Sequence, residues 1–177
     1  MPLVPFEEIT HLFAEFEHAA FRLETRRGYA TDREGGRYKA FMRGIDPPPV
    51  PDNPWNTNVR EKAAQGARFS RVRIVDDPPT DGQRFLMATA ASNVTAGEDI
   101  RVLSRVVAQS VDLPDYDFWL FDSRILARMR IDDTDTTVGV EVTEDPAAVL
   151  AACRARDTAW PLATPSAAVW AQVRSSV

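Results

Sequence analysis

Cysteine, histidine and lysine are scarce in this chain, and each scarcity removes a class of chemistry. A single cysteine, Cys153, excludes an internal disulfide and a cysteine-cluster metal site. It follows Leu150-Ala151-Ala152, and no histidine occurs in the C-terminal half, so it reads as a small buried filler, not as an activated nucleophile. His11 and His18 can share a helical face, yet they stand seven positions apart, too far to share one ion as H-E-x-x-H does. Lysine occurs only at Lys39 and Lys62, and every other basic residue is arginine. No apolar run approaches the roughly 18 residues of a membrane span. The opening Met1-Pro2-Leu3-Val4-Pro5, followed by acids, lacks the basic and apolar regions of a secretory leader. A cytoplasmic protein without membrane contact is therefore expected. The net charge of −5 leaves little basic surface for phosphates, so direct nucleic-acid binding is not expected.

Two acidic or glycine-bearing stretches invite a ligand reading and do not support it. Asp132-Asp133-Thr134-Asp135 lacks the later glycine and glutamate of a calcium loop, since residues 137 and 143 are threonine. It reads as a hydrated hairpin turn. Gly97, followed by Glu98-Asp99, would repel a phosphate. No metal, cofactor or catalytic assembly is expected.

What the chain has in quantity is alternating and buried-strand sequence. Phe118-Trp119-Leu120-Phe121, bracketed by Asp117 and Asp122, predicts a strand buried on both faces. Phe69 to Val75 places Arg71 and Arg73 on one face and Val72 and Ile74 on the other. Ile100–Leu103, Ile125–Ile131 and Thr137–Val142 read as further strands, and Phe21–Thr25 as a short extended one. Helices are predicted from the spacing of Phe6, Ile9, Phe13, Phe16 and Ala20, from Asp32 to Met42, from Trp55 to Gly66 and from Thr80 to Ala91. Another starts at Asp145-Pro146, with proline at the first helical position, and a last one near Ser166. Trp55, Trp160 and Trp170 suit packing between helices.

The prolines Pro47, Pro48, Pro49, Pro51 and Pro54 predict a stiff connector over 46–54, dividing an N-terminal helical extension (1–45) from an α/β domain (55–177). About 45 residues rarely bury enough surface alone, so one folding unit is expected. The expected fold is α/β: a central mixed sheet of about four to six strands flanked by helices. Oligomeric state is not legible here.

The best polar constellation is basic. Arg22 and Glu24 share a face, as do Arg71 and Arg73, and Asp122 and Arg124 alternate in the same way around their hairpin. With Arg101, these are the candidate ligand-binding residues at the strand ends. Guanidinium groups grip carboxylate or phosphate in a bidentate manner. The same residues can equally serve as ion pairs that set strand register.

Four blocks carry a resemblance: Ala20-Phe21-Arg22-Leu23-Glu24-Thr25, Arg71-Val72-Arg73-Ile74-Val75, Ala96-Gly97-Glu98-Asp99-Ile100-Arg101, and Asp117 to Asp122. Over roughly residues 6 to 165 the chain resembles an uncharacterised actinobacterial domain-of-unknown-function family, encoded near helix-turn-helix regulators and small acidic proteins. That resemblance implies a regulatory, partner-binding role and no particular catalytic residue. The order of elements is also similar to a phospholipase-D-like half-barrel, whose enzymes use an H-x-K-x-x-x-x-D motif. Both histidines here lie near the N-terminus and no lysine follows Lys62, so the likeness implies a binding copy. A small anionic-ligand sensor or enzyme with an arginine-lined pocket is the competing expectation.

Overall fold

The computed structural model describes residues 2–175. The chain opens with Leu3–Val4 (β1), a 3-10 turn at Phe6–Ile9, Leu12–Glu15 (α1) and Ala19–Glu24 (β2). Short helices Ala30–Glu34 (α2) and Gly36–Phe41 (α3) precede Pro54–Ala64 (α4), Arg68–Val75 (β3), Asp81–Ala96 (α5), Asp99–Ser104 (β4) and Arg105–Ser110 (α6). A run of strands follows: Phe118–Phe121 (β5), Ile125–Ile131 (β6) and Thr137–Thr143 (β7). Pro146–Leu162 (α7), Thr164–Pro165 (β8) and Ser166–Ser175 (α8) close the fold.

All eight strands form one mixed sheet in the order β1-β7-β6-β5-β2-β3-β4-β8. β2, β3 and β4 run parallel, and β5, β6 and β7 add antiparallel strands on the other side of β2. The mixed α/β architecture expected from the sequence is present. The sheet is wider than expected because two-residue strands, β1 and β8, cover its edges.

Helix ends follow local chemistry. Asn53 caps α4 and Asp145 caps α7, each followed by proline at the first helical position. Thr80 and Gln83 make a reciprocal capping box on α5, which stops at Gly97, φ +117°. The helix expected over 32–42 is instead two short ones, broken where Gly35 is extended.

One sheet face buries Phe21, Leu23, Val72, Phe118 and Leu120 against α7 residues Val149, Ala152, Ala155 and Ala159. The other buries Phe13, Phe16, Phe69, Trp119 and Phe121 with Val59 of α4. Ring pairs such as Phe13 with Trp119, 4.9 Å apart and nearly perpendicular, knit this second face.

Residues 1–45 are not a purely helical extension. They supply β1 and also β2, which lies between β3 and β5 at the centre of the sheet. The proline stretch is likewise held by its surroundings: Val50 N donates to Ser92 Oγ, and the Pro48 and Pro51 carbonyls accept from Arg37 and Arg60. Trp55, expected to pack between helices, lies against Phe13, Phe69 and Trp119.

Candidate functional site

The polar chemistry is concentrated on the second sheet face, where strand register gathers it. Arg22 lies opposite Arg71 on one side and Trp119 on the other, and Glu24 lies opposite Arg73. All four charged side chains therefore project from one face.

Glu24 is the hub. Its Oε1 accepts from Arg71 Nη1 at 2.7 Å and lies 3.1 Å from Arg22 Nε, without the alignment of a hydrogen bond. Its Oε2 accepts from Arg73 Nε at 2.5 Å. Arg71 then donates through Nε to Glu98 Oε1 at 2.7 Å, and Glu98 Oε2 accepts from Trp55 Nε1 and Asn93 Nδ2, each at 3.1 Å. Arg73 Nη1 donates to the Leu86 carbonyl at 2.6 Å. A second acid, Asp117, accepts from Thr25 N at 2.7 Å, Thr25 Oγ1 at 2.9 Å, Tyr29 Oη at 2.5 Å and, more weakly, Arg22 Nη2 at 3.4 Å. Trp119 lies beneath two guanidinium groups, those of Arg22 and Arg71, at 5.3 and 5.5 Å from its ring.

Glu24, Glu98 and Asp117 are each at most 3% exposed, so these are charges in a low-dielectric setting that demand partners. Burial opposes ionisation of Glu24, but Arg71, Arg73 and Arg22 outweigh it and hold the carboxyl well below the usual carboxylate range. Burial also opposes the charge on Arg22 and on Arg71, and their acidic neighbours hold both above the ordinary arginine value. Burial, then Glu24 and Asp117, push the Tyr29 hydroxyl well above its usual value, so it stays a donor. The lattice sets three guanidinium groups against three carboxylates.

Above it lies a cavity of about 780 Å³, bordered by β1, the 3-10 turn, α2, Leu86 of α5, Met129 of β6 and the start of β7. Arg22, Glu24, Tyr29 and Arg71 reach it from the sheet, Asp32 from α2. Burial, then the neighbouring Glu24, push the Asp32 carboxyl up from its ordinary value.

Of the residues singled out in the sequence, Arg22, Glu24, Arg71 and Arg73 meet in this lattice. Arg101, Asp122 and Arg124 do not. Arg101 projects from the opposite face, its guanidinium 4.0 Å from the Trp160 ring and paired with Asp99. Asp122 stands at the far end of β5, accepting from the backbone N–H groups of Glu17, His18 and Ala19 at 2.7–2.9 Å. Arg124 borders a separate cavity of about 290 Å³ beside Asp122 and His18. Sequence reading missed Glu98, Asp117, Tyr29 and Asp32 as members. Asp117 and Glu98 had a signal, an acid directly beside a strand of the lattice; Tyr29 and Asp32 had none. Among the described residues, no group of three or more His, Cys, Asp or Glu side chains is placed to hold a metal. No helix of the described residues is long and apolar enough to cross a membrane.

The sequence pattern of the family described as "Domain of unknown function (DUF6879)" matches residues 7–171. The chain belongs to the DUF6879 family. No curated protein matches it in sequence. Among solved structures, this DUF6879 chain is similar to Nuc of Salmonella typhimurium, titled a phospholipase D family member, with a TM-score of 0.52, 9% identity, and 90% of this chain and 88% of that chain covered. NucT from Helicobacter pylori gives a TM-score of 0.51 at 8% identity, covering 90% and 89%. At such identity the likeness concerns the fold, which is phospholipase-D-like, as the order of elements implied.

Proposed function

We propose that this DUF6879 protein is a non-catalytic, cytoplasmic binding protein that acts in regulation through a protein partner. The observation that carries this reading is the lattice: its three buried carboxylates are all engaged by its three guanidinium groups, with no nucleophile among them. An enzyme site keeps at least one group poised for a substrate, whereas Glu24, Arg71 and Arg73 are each engaged by the others. The missing H-x-K-x-x-x-x-D motif supports the same reading. No stretch of the chain carries that motif, since His11 and His18 are followed two positions on by Phe13 and Ala20 where the motif has lysine. Asp117 and Asp122 are both committed to hydrogen bonds within the fold.

The partner that the family resemblance implies is a helix-turn-helix regulator or a small acidic protein encoded nearby. An anionic-ligand sensor draws less support, because the arginines it would need already have carboxylates and Arg101 and Arg124 lie elsewhere. The test pairs two measurements. Purified protein incubated with bis(4-nitrophenyl) phosphate is expected to release no nitrophenol, and to co-elute with the co-expressed regulator in size exclusion. Phosphoester turnover abolished by a single substitution would overturn the proposal, as would separate elution of the two proteins.

A further inference from the structure

We propose that the 780 Å³ cavity is a binding site for an organic cation, an ammonium or guanidinium group carried on an apolar body. This goes beyond the partner-binding reading, which needs nothing in the cavity. The volume falls in the range of small-ligand sites, about 300–1,000 Å³.

The sign of the ligand follows from a charge count. Arginines reach the cavity, which at first suggests an anion. Yet Arg22, Arg71 and Arg73 are cancelled by Glu24, Glu98 and Asp117. The remaining acids that line the space are Glu7, in the 3-10 turn, and Asp32, in α2. Among the described residues, neither carboxylate accepts a hydrogen bond or stands in an ion pair. The surplus is therefore negative. Burial, then Glu24, already disfavour the charge on Asp32 against the pull of Arg73, Arg22 and Arg33, and a cation beside it offsets that penalty. An anion would meet Glu7, Glu24 and Asp32, while Arg22 and Arg71, the arginines that line the cavity, each already face a carboxylate.

The walls suit an apolar body. Val4, Phe6, Leu86, Met129 and Val138 line the space, and Phe6 and Tyr29 add aromatic rings to its wall. One polar anchor is unused: Arg22 Nη1 donates no hydrogen bond within the described residues, so a hydroxyl or carbonyl oxygen on the ligand can accept from it.

Isothermal titration with hexylammonium, hexanol and hexanoate isolates the charge. Hexylammonium is expected to bind, hexanol about tenfold more weakly, and hexanoate not at all. Asp32→Asn should weaken hexylammonium about tenfold and Glu7→Gln by less, with both variants melting as the parent does, since neither carboxylate holds the fold together. A capped Leu-Arg-Leu peptide separates the sources. Tighter binding than hexylammonium assigns the site to a basic side chain of a protein, weaker binding to a free amine, and either result supports a cation site. Hexanoate binding as tightly as hexylammonium would overturn the proposal, as would an unchanged affinity in the Asp32→Asn, Glu7→Gln double variant. Absence of heat with every probe in folded protein would overturn it as well.

Discussion

Glu24 holds more of this protein's electrostatics than any other side chain, because one carboxylate answers three arginines. Glu24→Gln keeps the shape and removes the charge, leaving a buried cation without a counterion. A loss of about 3–5 kcal/mol is expected, read as a fall in the urea midpoint with an unchanged slope. The same residue sets the acid limit. Its carboxyl is held below the usual range in the fold, so its stabilisation is complete above the unfolded-state value of about 4.3 and is lost as pH falls below it. Melting temperature should drop steeply through that window in the parent and less steeply in Glu24→Gln. Glu24 was visible in the sequence as a charge sharing a face with Arg22. Its burial was not, since burial depends on what α1, α4 and the cavity walls place above the sheet.

At the scale of elements, the N-terminal segment shows how a local period is overruled. Phe6, Ile9, Phe13, Phe16 and Ala20 keep helical spacing, yet the helix stops at Phe16, where ψ reaches 146°. The reason lies 105 residues away: the Asp122 carboxylate takes the N–H groups of Glu17, His18 and Ala19, which a continuing helix would need. The chain is thereby released into β2. A second long-range contact fixes the loop after β2. Gly82, in the first turn of α5, lies so close to that loop that a Cβ would collide with the Arg27 carbonyl oxygen and come within 2.8 Å of Gly28 Cα. Gly82→Ala is expected to cost about 1–3 kcal/mol by pushing the two elements apart, although alanine is the better helix former. Chemical denaturation checks this, and an unchanged midpoint would refute the close approach.

The whole molecule is one unit because its central strand comes from its N-terminal quarter. A fragment of residues 55–177 lacks β2, so β3 and β5 each lose the strand that separates them. Unpaired edges at the sheet centre and exposed Phe21 and Leu23 partners leave little core. That fragment is expected to show no cooperative thermal transition by circular dichroism and to be digested rapidly by trypsin. The sequence by itself determined what depends on near neighbours. The alternation of Arg71 and Arg73 with Val72 and Ile74, the four-residue buried burst of β5 and the Asp145-Pro146 helix start are all set within a few residues of chain. Only the tertiary structure decided which charges meet: Glu24 with Arg71 and Arg73, Arg71 with Glu98, and Asp117 with Tyr29, while Arg101 and Arg124 go elsewhere. Spacing along a chain tells which face a side chain takes, but strand order and register across long loops choose its partners, and those are settled by packing the whole core at once.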